Sequence, residues 1–389
     1  MSDILSSAQI TAVNITTKND KLIDITQTFL SVSFYQSMFK NFMTGQIVVA
    51  DTMDMISNFP LVGNEKITIA VQNNYDNSSK LYEFVIYKID RDLNTFTPDQ
   101  KVKILNMYLM SFDEFMNHTK ISKRFNGLGS NVVDTLIKTH LKSNKTLDAI
   151  STYGQIDFVS NFWSFDDCIK YVCDTSSSEF FDYMFFENNN GYNFKPLSHL
   201  FTQQPTNEIK FDLTQNQIID VDAILKFQFN SYFDDLMWRK RGMFGSTGYQ
   251  LSDDNYSFDV VQKTIQQTDE NIKHTGINRM YCDESDVYNR IFTTYNSPTI
   301  NTTRKTHINF LSRYNFVANL NGDIDRNIGD MYKINFPNYD NESSAGSDSL
   351  SGNWIAMEIN TTIFENNDMK QNVLFGKNAL FNNFKLDKY

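Results

Sequence analysis

Proline and glycine are scarce in this chain of 389 residues, at 6 and 15. That shortage excludes collagen-like repeats and an architecture dominated by linkers. Cysteine is scarcer still, with 3 residues: Cys168 and Cys173 lie close together and Cys282 is remote. An odd count at those spacings supplies neither a disulfide framework nor a zinc site. It fits synthesis in a reducing cytoplasm. No apolar run approaches the roughly 18 residues of a membrane-crossing helix. The opening Met1-Ser2-Asp3-Ile4 lacks the basic start and apolar core of a signal peptide. Positive charge is also short, with 35 Lys and Arg against 46 Asp and Glu, a net charge of -11. An acidic surface repels phosphate, so tight nucleic-acid binding is not expected. The two basic clusters, Lys123-Arg124 and Arg239-Lys240-Arg241, read as solvated turns.

Signatures of catalysis are missing as well. Gly376-Lys377 lacks the upstream glycine of a phosphate-binding loop, and Gly127-Leu128-Gly129 lacks the third glycine of a dinucleotide fingerprint. There is no nucleophile elbow. None of His118, His140, His199, His274 and His307 is followed by glutamate, and their spacing fits no metal. Asp323-Ile324-Asp325-Arg326-Asn327 offers the first oxygens of a calcium loop. However, Ile328 stands where that loop needs glycine and Ile334 where it needs a bidentate glutamate, so a polar turn before a strand is the better reading. No cofactor, metal or catalytic residue is therefore assigned, and the chain is read as a non-enzyme.

What is present is apolar and aromatic. Hydrophobic residues make up 41% and aromatics 14%, with 33 Phe and 19 Tyr, against 21% charged. Such a chain folds around real cores, and its length fits two to four domains at roughly 100–200 residues each.

Residues 1–111 read as β. Leu30, Val32 and Phe34 alternate with polar neighbours, as do Ile67, Ile69 and Val71. Segments 81–89 and 102–110 are apolar on both faces and need cover on both sides. A short helix is predicted over 52–57, closed by Pro60, with Gly63-Asn64 turning into the next strand. Residues 112–208 form a small α+β module. One helix is predicted from an N-cap at Ser130, with Val133, Leu136, Ile137, His140 and Leu141 on its apolar face. A second starts at a Ser164–Asp167 capping box and buries Phe165, Cys168, Ile169 and Val172. His140 and Cys168 are read as core or boundary residues. A hairpin follows, 181–187 and 192–196, about an Asn-rich turn closed by Gly191. Residues 209–389 return to β, with strands at 225–229, 316–320, 332–336, 354–362 and 372–376. Long polar stretches at 262–278 and 338–352 interrupt them.

The two β regions echo one another. The run from Gly63 to Ile69 has a counterpart from Gly329 to Phe336: a glycine turn bearing an acidic residue (Glu65, Asp330) opens a strand, and a polar loop leads to another apolar strand. Any two antiparallel hairpins can look this similar, so the echo leaves a structural repeat and a coincidence both open.

Three runs in the first region carry a family resemblance. They are Ser33-Phe34-Tyr35-Gln36-Ser37-Met38-Phe39, Met43-Thr44-Gly45-Gln46-Ile47-Val48-Val49-Ala50-Asp51, and Phe59-Pro60-Leu61-Val62-Gly63-Asn64-Glu65-Lys66-Ile67-Thr68-Ile69. Together they resemble the opening of the baseplate hub proteins of contractile-tailed (T-even-like) bacteriophages, which are related to the hub part of type VI secretion spike proteins. The helix at Ser164 with Met184-Phe185-Phe186-Glu187 and Gly191-Tyr192-Asn193-Phe194 is similar to the family's second module. Asn321-Gly322, Gly329-Asp330 and Pro337 resemble its returning β domain.

The resemblance implies a mainly β fold with a small α+β module: two related tail-tube-like antiparallel β-barrel domains plus inserted modules. The expected division is 1–111 for the first tube-like domain and 112–208 for the α+β domain. Residues 209–389 form the second tube-like domain, with a spike-contacting insertion at about 237–305. It further implies a structural subunit of the virion's tail baseplate, a homotrimer forming a pseudo-sixfold ring. That ring would join tail-tube or tube-initiator proteins to a separate trimeric spike protein and let DNA pass, with baseplate wedge and tape-measure proteins as further partners. Phe84, Ile86, Ile104, Tyr108 and Trp354 are the candidates for barrel closure and packing between subunits, against the competing reading of ordinary core. Pro60, Gly63, Glu65, Gly329 and Asp330 form the motif turns. Two other classes remain to be weighed: a carbohydrate-binding β-sandwich of a tail fibre, and a tail-associated glycosidase with a paired-carboxylate cleft.

Overall fold

The computed structural model describes residues 8–377 except 53, 60, 62, 75–76, 93–102, 180–181, 212–221, 232–244, 252–257, 265–288, 294–303, 305–307, 309–313 and 337–349. Pro60, the polar stretch beyond residue 264, most of the polar stretch at 338–352, Cys282 and Arg239-Lys240-Arg241 lie outside the described residues.

The first β region supplies strands β1 (Ala8–Thr16), β2 (Leu22–Asp24), β3 (Phe29–Ser37), β4 (Thr44–Asp51), β5 (Lys66–Asn73), β6 (Ser79–Asp92) and β7 (Lys103–Ser111). A one-turn helix α1 (Met55–Asn58) lies between β4 and β5, slightly later than the sequence predicts. The strand order is β3-β4-β7-β6-β5-β1-β2. Period-two alternation sends Val32 and Phe34, Ile47 and Val49, Ile67 and Ile69, and Leu105 and Met107 into one core. The sheet curls on itself. Phe34 on β3 and Tyr82 on β6 are three strand steps apart, roughly 14 Å in a flat sheet, yet their rings stack at 4.5 Å. The slit between β1 and β4 is bridged by the turn at 25–28. Ile25 N–H donates to Val13 C=O, Val13 N–H to the Thr26 hydroxyl, and Ala50 N–H to Thr28 C=O, at 2.8–2.9 Å.

The middle region holds α2 (Phe112–Met116), β8 (Ile121–Leu128), α3 (Gly129–Leu136), a π-helical turn at Ile137–Leu141, β9 (Leu147–Ala149), β10 (Gln155–Trp163), α4 (Phe165–Thr175), β11 (Tyr183–Asn188), β12 (Gly191–Pro196) and α5 (Leu197–Leu200). The capping box forms at Ser164 and Asp167, and α4 buries Phe165, Cys168, Ile169 and Val172. Ser130 does not cap α3. The helix begins two residues earlier than that cap implies, at Gly129; Leu128 takes the cap position and no side chain caps it. The first turn has Gly129 against Thr152 and Ser176, so packing sets the helix start. His140 is half-buried beside the Phe125 ring at 6.2 Å. Burial, together with the positive charge of Lys123, lowers its pKa.

The second β region supplies β13 (Asn207–Phe211), β14 (Ala223–Ser231), β15 (Gly245–Leu251), β16 (Phe258–Thr264), β17 (Asn289–Thr293), β18 (Tyr314–Asn321), β19 (Met331–Ile334), β20 (Gly352–Phe364) and β21 (Met369–Lys377). Strands β15–β17 form a separate small sheet. The other six close into a barrel in the order β19-β13-β14-β18-β21-β20 and back to β19. Its core centres on Trp354, Phe316, Phe336 and Phe375. Among the described residues no helix is long and apolar enough to cross a membrane.

The echo is a true duplication. Five strands, β3-β4-β7-β6-β5, recur in the same chain order and the same pairing as β14-β18-β21-β20-β19. The irregularities recur with them. A bulge follows Phe29 in β3 and Ile224 in β14, and another follows Ile86 in β6 and Ala356 in β20. A bulge is a specific feature of one strand pair, so two at matching places align the copies residue by residue. Ile86 matches Ala356, Leu109 matches Phe375, Phe34 matches Phe229, and Phe84 matches Trp354.

Candidate assembly interface

Matching turns open the third strand of each copy. In the first, Asn64 N–H donates to Ile86 C=O at 2.8 Å and Ile86 N–H returns to Glu65 C=O at 2.9 Å. In the second, Gly329 N–H donates to Ala356 C=O at 2.9 Å and Ala356 N–H to Asp330 C=O at 3.0 Å. The hydrogen bonds therefore align Asn64 with Gly329 and Glu65 with Asp330, one place from the glycine-on-glycine match. Both aligned residues have positive φ, 66° and 85°. Asparagine tolerates that region and glycine enters it freely. Glu65 is buried and its carboxylate accepts from Gly63 N–H at 3.0 Å. Burial pushes the Asp330 carboxyl up to about 6, and the opposing pull of Lys195 and Asn327 only partly offsets it.

The interface candidates fall into two groups. Phe84, Ile86 and Trp354 are buried within the chain itself, the first and last at matching positions of the two cores. Their burial needs no partner. Ile104 and Tyr108 lie half-exposed on the opposite face of β7, whose Leu105, Met107 and Leu109 point into the core. The prediction that β6 needs cover on both faces holds only for Phe84, Val85 and Ile86. Leu81 and Tyr87 are exposed, at 64% and 49%.

The two copies meet along one strand joint that sequence reasoning did not single out. The second half of β20 stays paired with β21 on one side and, beyond the reach of β19, pairs antiparallel with β3 on the other, from Glu358↔Ser37 to Phe364↔Ser31. Side chains reinforce the ladder. Ser33 and Thr362 hydroxyls meet at 3.0 Å, and Glu358 accepts from Tyr35 at 2.8 Å and Ser37 at 3.0 Å. Burial, then the hydrogen bond to Glu358, pushes the Tyr35 phenol up to about 12.

The tip of the β11–β12 hairpin locks this joint. The Asn189 side-chain oxygen accepts from Gln36 at 2.9 Å and Tyr82 at 3.1 Å, in the first copy. Its NH2 group donates to the Ile324 carbonyl, in the second copy, at 2.9 Å. Just below, Glu187 accepts from Met43 N–H at 2.9 Å, and Lys145 bridges Glu187 at 2.5 Å and Asp113 at 2.8 Å. Burial opposes the Lys145 charge, but Glu187 and Asp113 outweigh it and raise the pKa. Lys80, Lys145, Glu187 and Asn188–Gly191 line an open cavity of about 350 Å³. The acidic turn at 323–327 is likewise used for packing. Asp325 pairs with Lys80 at 2.7 Å and accepts from Asn73 at 3.2 Å, while Arg326 is buried and hydrogen-bonds Gln371. Among the described residues, no group of three or more His, Cys, Asp or Glu side chains is arranged to hold a metal ion.

This fold is similar to that of phage tail proteins of known structure. The tail protein from Neisseria meningitidis MC58 superposes with a TM-score of 0.57 at 7% identity, over 95% of this chain and 98% of that one. The 43 kDa tail protein of prophage MuSo2 from Shewanella oneidensis gives 0.58 at 7% identity, with the same coverage. Prophage tail protein gp18 from Listeria monocytogenes EGD-e gives 0.53 at 10% identity, over 95% of both chains. No protein-family model matches the sequence, and no curated protein does.

Proposed function

We propose that this chain is a structural, non-catalytic subunit of a contractile phage tail: the baseplate hub, three copies of which form a ring between the tail tube and a separate trimeric spike. The observation that carries the reading is the duplication. One chain holds two copies of a barrel unit, so three chains present six, and a threefold assembly acquires a face of nearly sixfold symmetry. Such a face matches a sixfold tube on one side while the trimer matches a threefold spike on the other. The likeness to phage tail proteins across nearly the full length supports the setting. The units divide as 1–111, 112–208 and 209–389, with the insertion at about 237–305 reaching the spike. A net charge of -11 favours a channel that repels DNA rather than gripping it, so the genome slides through.

Light scattering on the purified protein, alone and with its spike, should give three times the chain mass of 45.2 kDa. Electron microscopy should show a six-lobed ring with an open centre. Any other copy number in the tail particle, or a closed centre, overturns the reading.

A further inference from the structure

The duplication contains an unmatched pair of strand edges. Within the chain, β20 of the second copy pairs with β3 of the first. By the residue-by-residue match, β6 is the counterpart of β20 and β14 the counterpart of β3. These two do not pair with each other within the chain. Among the described residues, Tyr87–Asp90 have no ladder partner on the side of β6 away from β7. Likewise Leu225–Gln228 have none on the side of β14 away from β18.

Burial tells the same story. Val32, inside the joint, is fully buried, and its counterpart Phe227 is 37% exposed although its ring packs on Phe211, Phe229 and Phe336. Ile359 is fully buried and its counterpart Ile89 only half so. In each case the buried residue has a neighbouring strand that its counterpart, among the described residues, lacks. Open edges with aromatic side chains invite pairing with another chain.

We infer that β6 of one copy pairs antiparallel with β14 of the next, in the register of the in-chain joint. The occupant of each edge is a second copy of this chain, because the joint that already exists shows what each edge accepts. Thr362↔Ser33 becomes Asp92↔Gln228 between chains, and Thr361↔Phe34 becomes Arg91↔Phe229. Since the donor and acceptor edges differ, the contact runs head to tail and closes only as a ring. Alternate joints around that ring are then built within a chain and between chains. The inference rests on the ring reading above and specifies its seam.

Paired cysteines test the register, since directly opposed residues on neighbouring strands fall within disulfide reach. In a Cys282→Ser background, Asp92→Cys with Gln228→Cys should form a covalent ladder of two and three chains on mild oxidation, reversed by reductant. The control Ser33→Cys with Thr362→Cys should close within one chain and leave its mass unchanged. Asp92→Cys with Lys226→Cys, displaced by two residues, should cross-link far less. Hydrogen exchange on the unmodified protein is independent of any variant's folding. The amides of Lys88–Asp90 and Lys226–Gln228 should gain protection on assembly. A trimer by light scattering with no cross-link at 92/228, or with both edges still exchanging freely, sinks the seam and spares the ring. A chain that never trimerises, even with its spike, removes both.

Discussion

The two β units share five strands and two bulges, and they part company at the sixth strand. In the second unit β13 runs parallel to both β14 and β19 and closes the barrel by a ladder. In the first, β1 runs antiparallel to β5, continues into β2, and leaves the slit to the turn at 25–28. The shared part is thus the wall that carries the joints, and the variable part is the far side of each barrel. Core filling differs too. Gly45 of the first unit stands where the second has Phe316, and a Cβ there would meet the Ser33 carbonyl oxygen at 2.9 Å. Leu109 packs beside that position, and the same core holds the stacked Phe34, Tyr82 and Phe84 rings. One architecture tolerates different packing so long as volume is conserved.

The comparison can be pressed hardest at its matched aromatics. Trp354→Ala and Phe84→Ala should each cost about 3–5 kcal/mol in urea unfolding. A loss below about 1 kcal/mol at either site would break the equivalence of the two cores.

The half-buried Lys145 and the buried Lys377 should diverge. Lys145→Met leaves Glu187 and Asp113 facing each other without their cation and should cost about 3 kcal/mol. Among the described residues, Lys377 has the Ser351 carbonyl at 3.0 Å and the Trp354 ring beneath it and no carboxylate partner, and burial lowers its pKa to about 8. Lys377→Met should therefore stay within about 1 kcal/mol of the parent. Equal losses would erase the contrast.

A smaller effect, about 1–2 kcal/mol, is expected for Asn189→Ala. Amide exchange should show the loosening along β3 and β20, with the far walls of both barrels unchanged.

The smallest effect concerns the turn acids. The Asp330 carboxyl holds its proton to about pH 6 in the folded chain against an ordinary 3.8. Its contribution is fully present below pH 3.8 and is lost as pH rises through about 6. Asp330→Asn should flatten that part of the stability profile, measured by denaturation from pH 4 to 7. An unchanged profile would assign the slope elsewhere.

Much of this was legible in the sequence, for local reasons. Alternation located the strands around Val32 and Ile67 because each has one buried face. The Ser164 capping box carries its own geometry within four residues. The glycine turns raised the repeat without deciding it, and did not give its alignment, because Gly63 and Asn64 both take positive φ and only the bonds to Ile86 choose between them. Ser130 misled because a good capping residue near a helix start does not cap when the chain enters two residues sooner. Asn189 was invisible: three asparagines before a glycine look like any solvated turn. Its role exists only once residues 36, 82 and 324 converge. The β20–β3 joint was hidden likewise, since period two shows which face of a strand is buried and not which neighbour it has.

The latch on the first barrel has a consequence of its own. A cylinder sewn shut by a ladder opens only by peeling a whole strand. One fastened at Val13, Thr26 and Thr28 opens when a few clasps let go. The earliest breathing of this molecule should therefore start there, as a brief parting of β1 from its neighbour while the six-stranded barrel stays sealed.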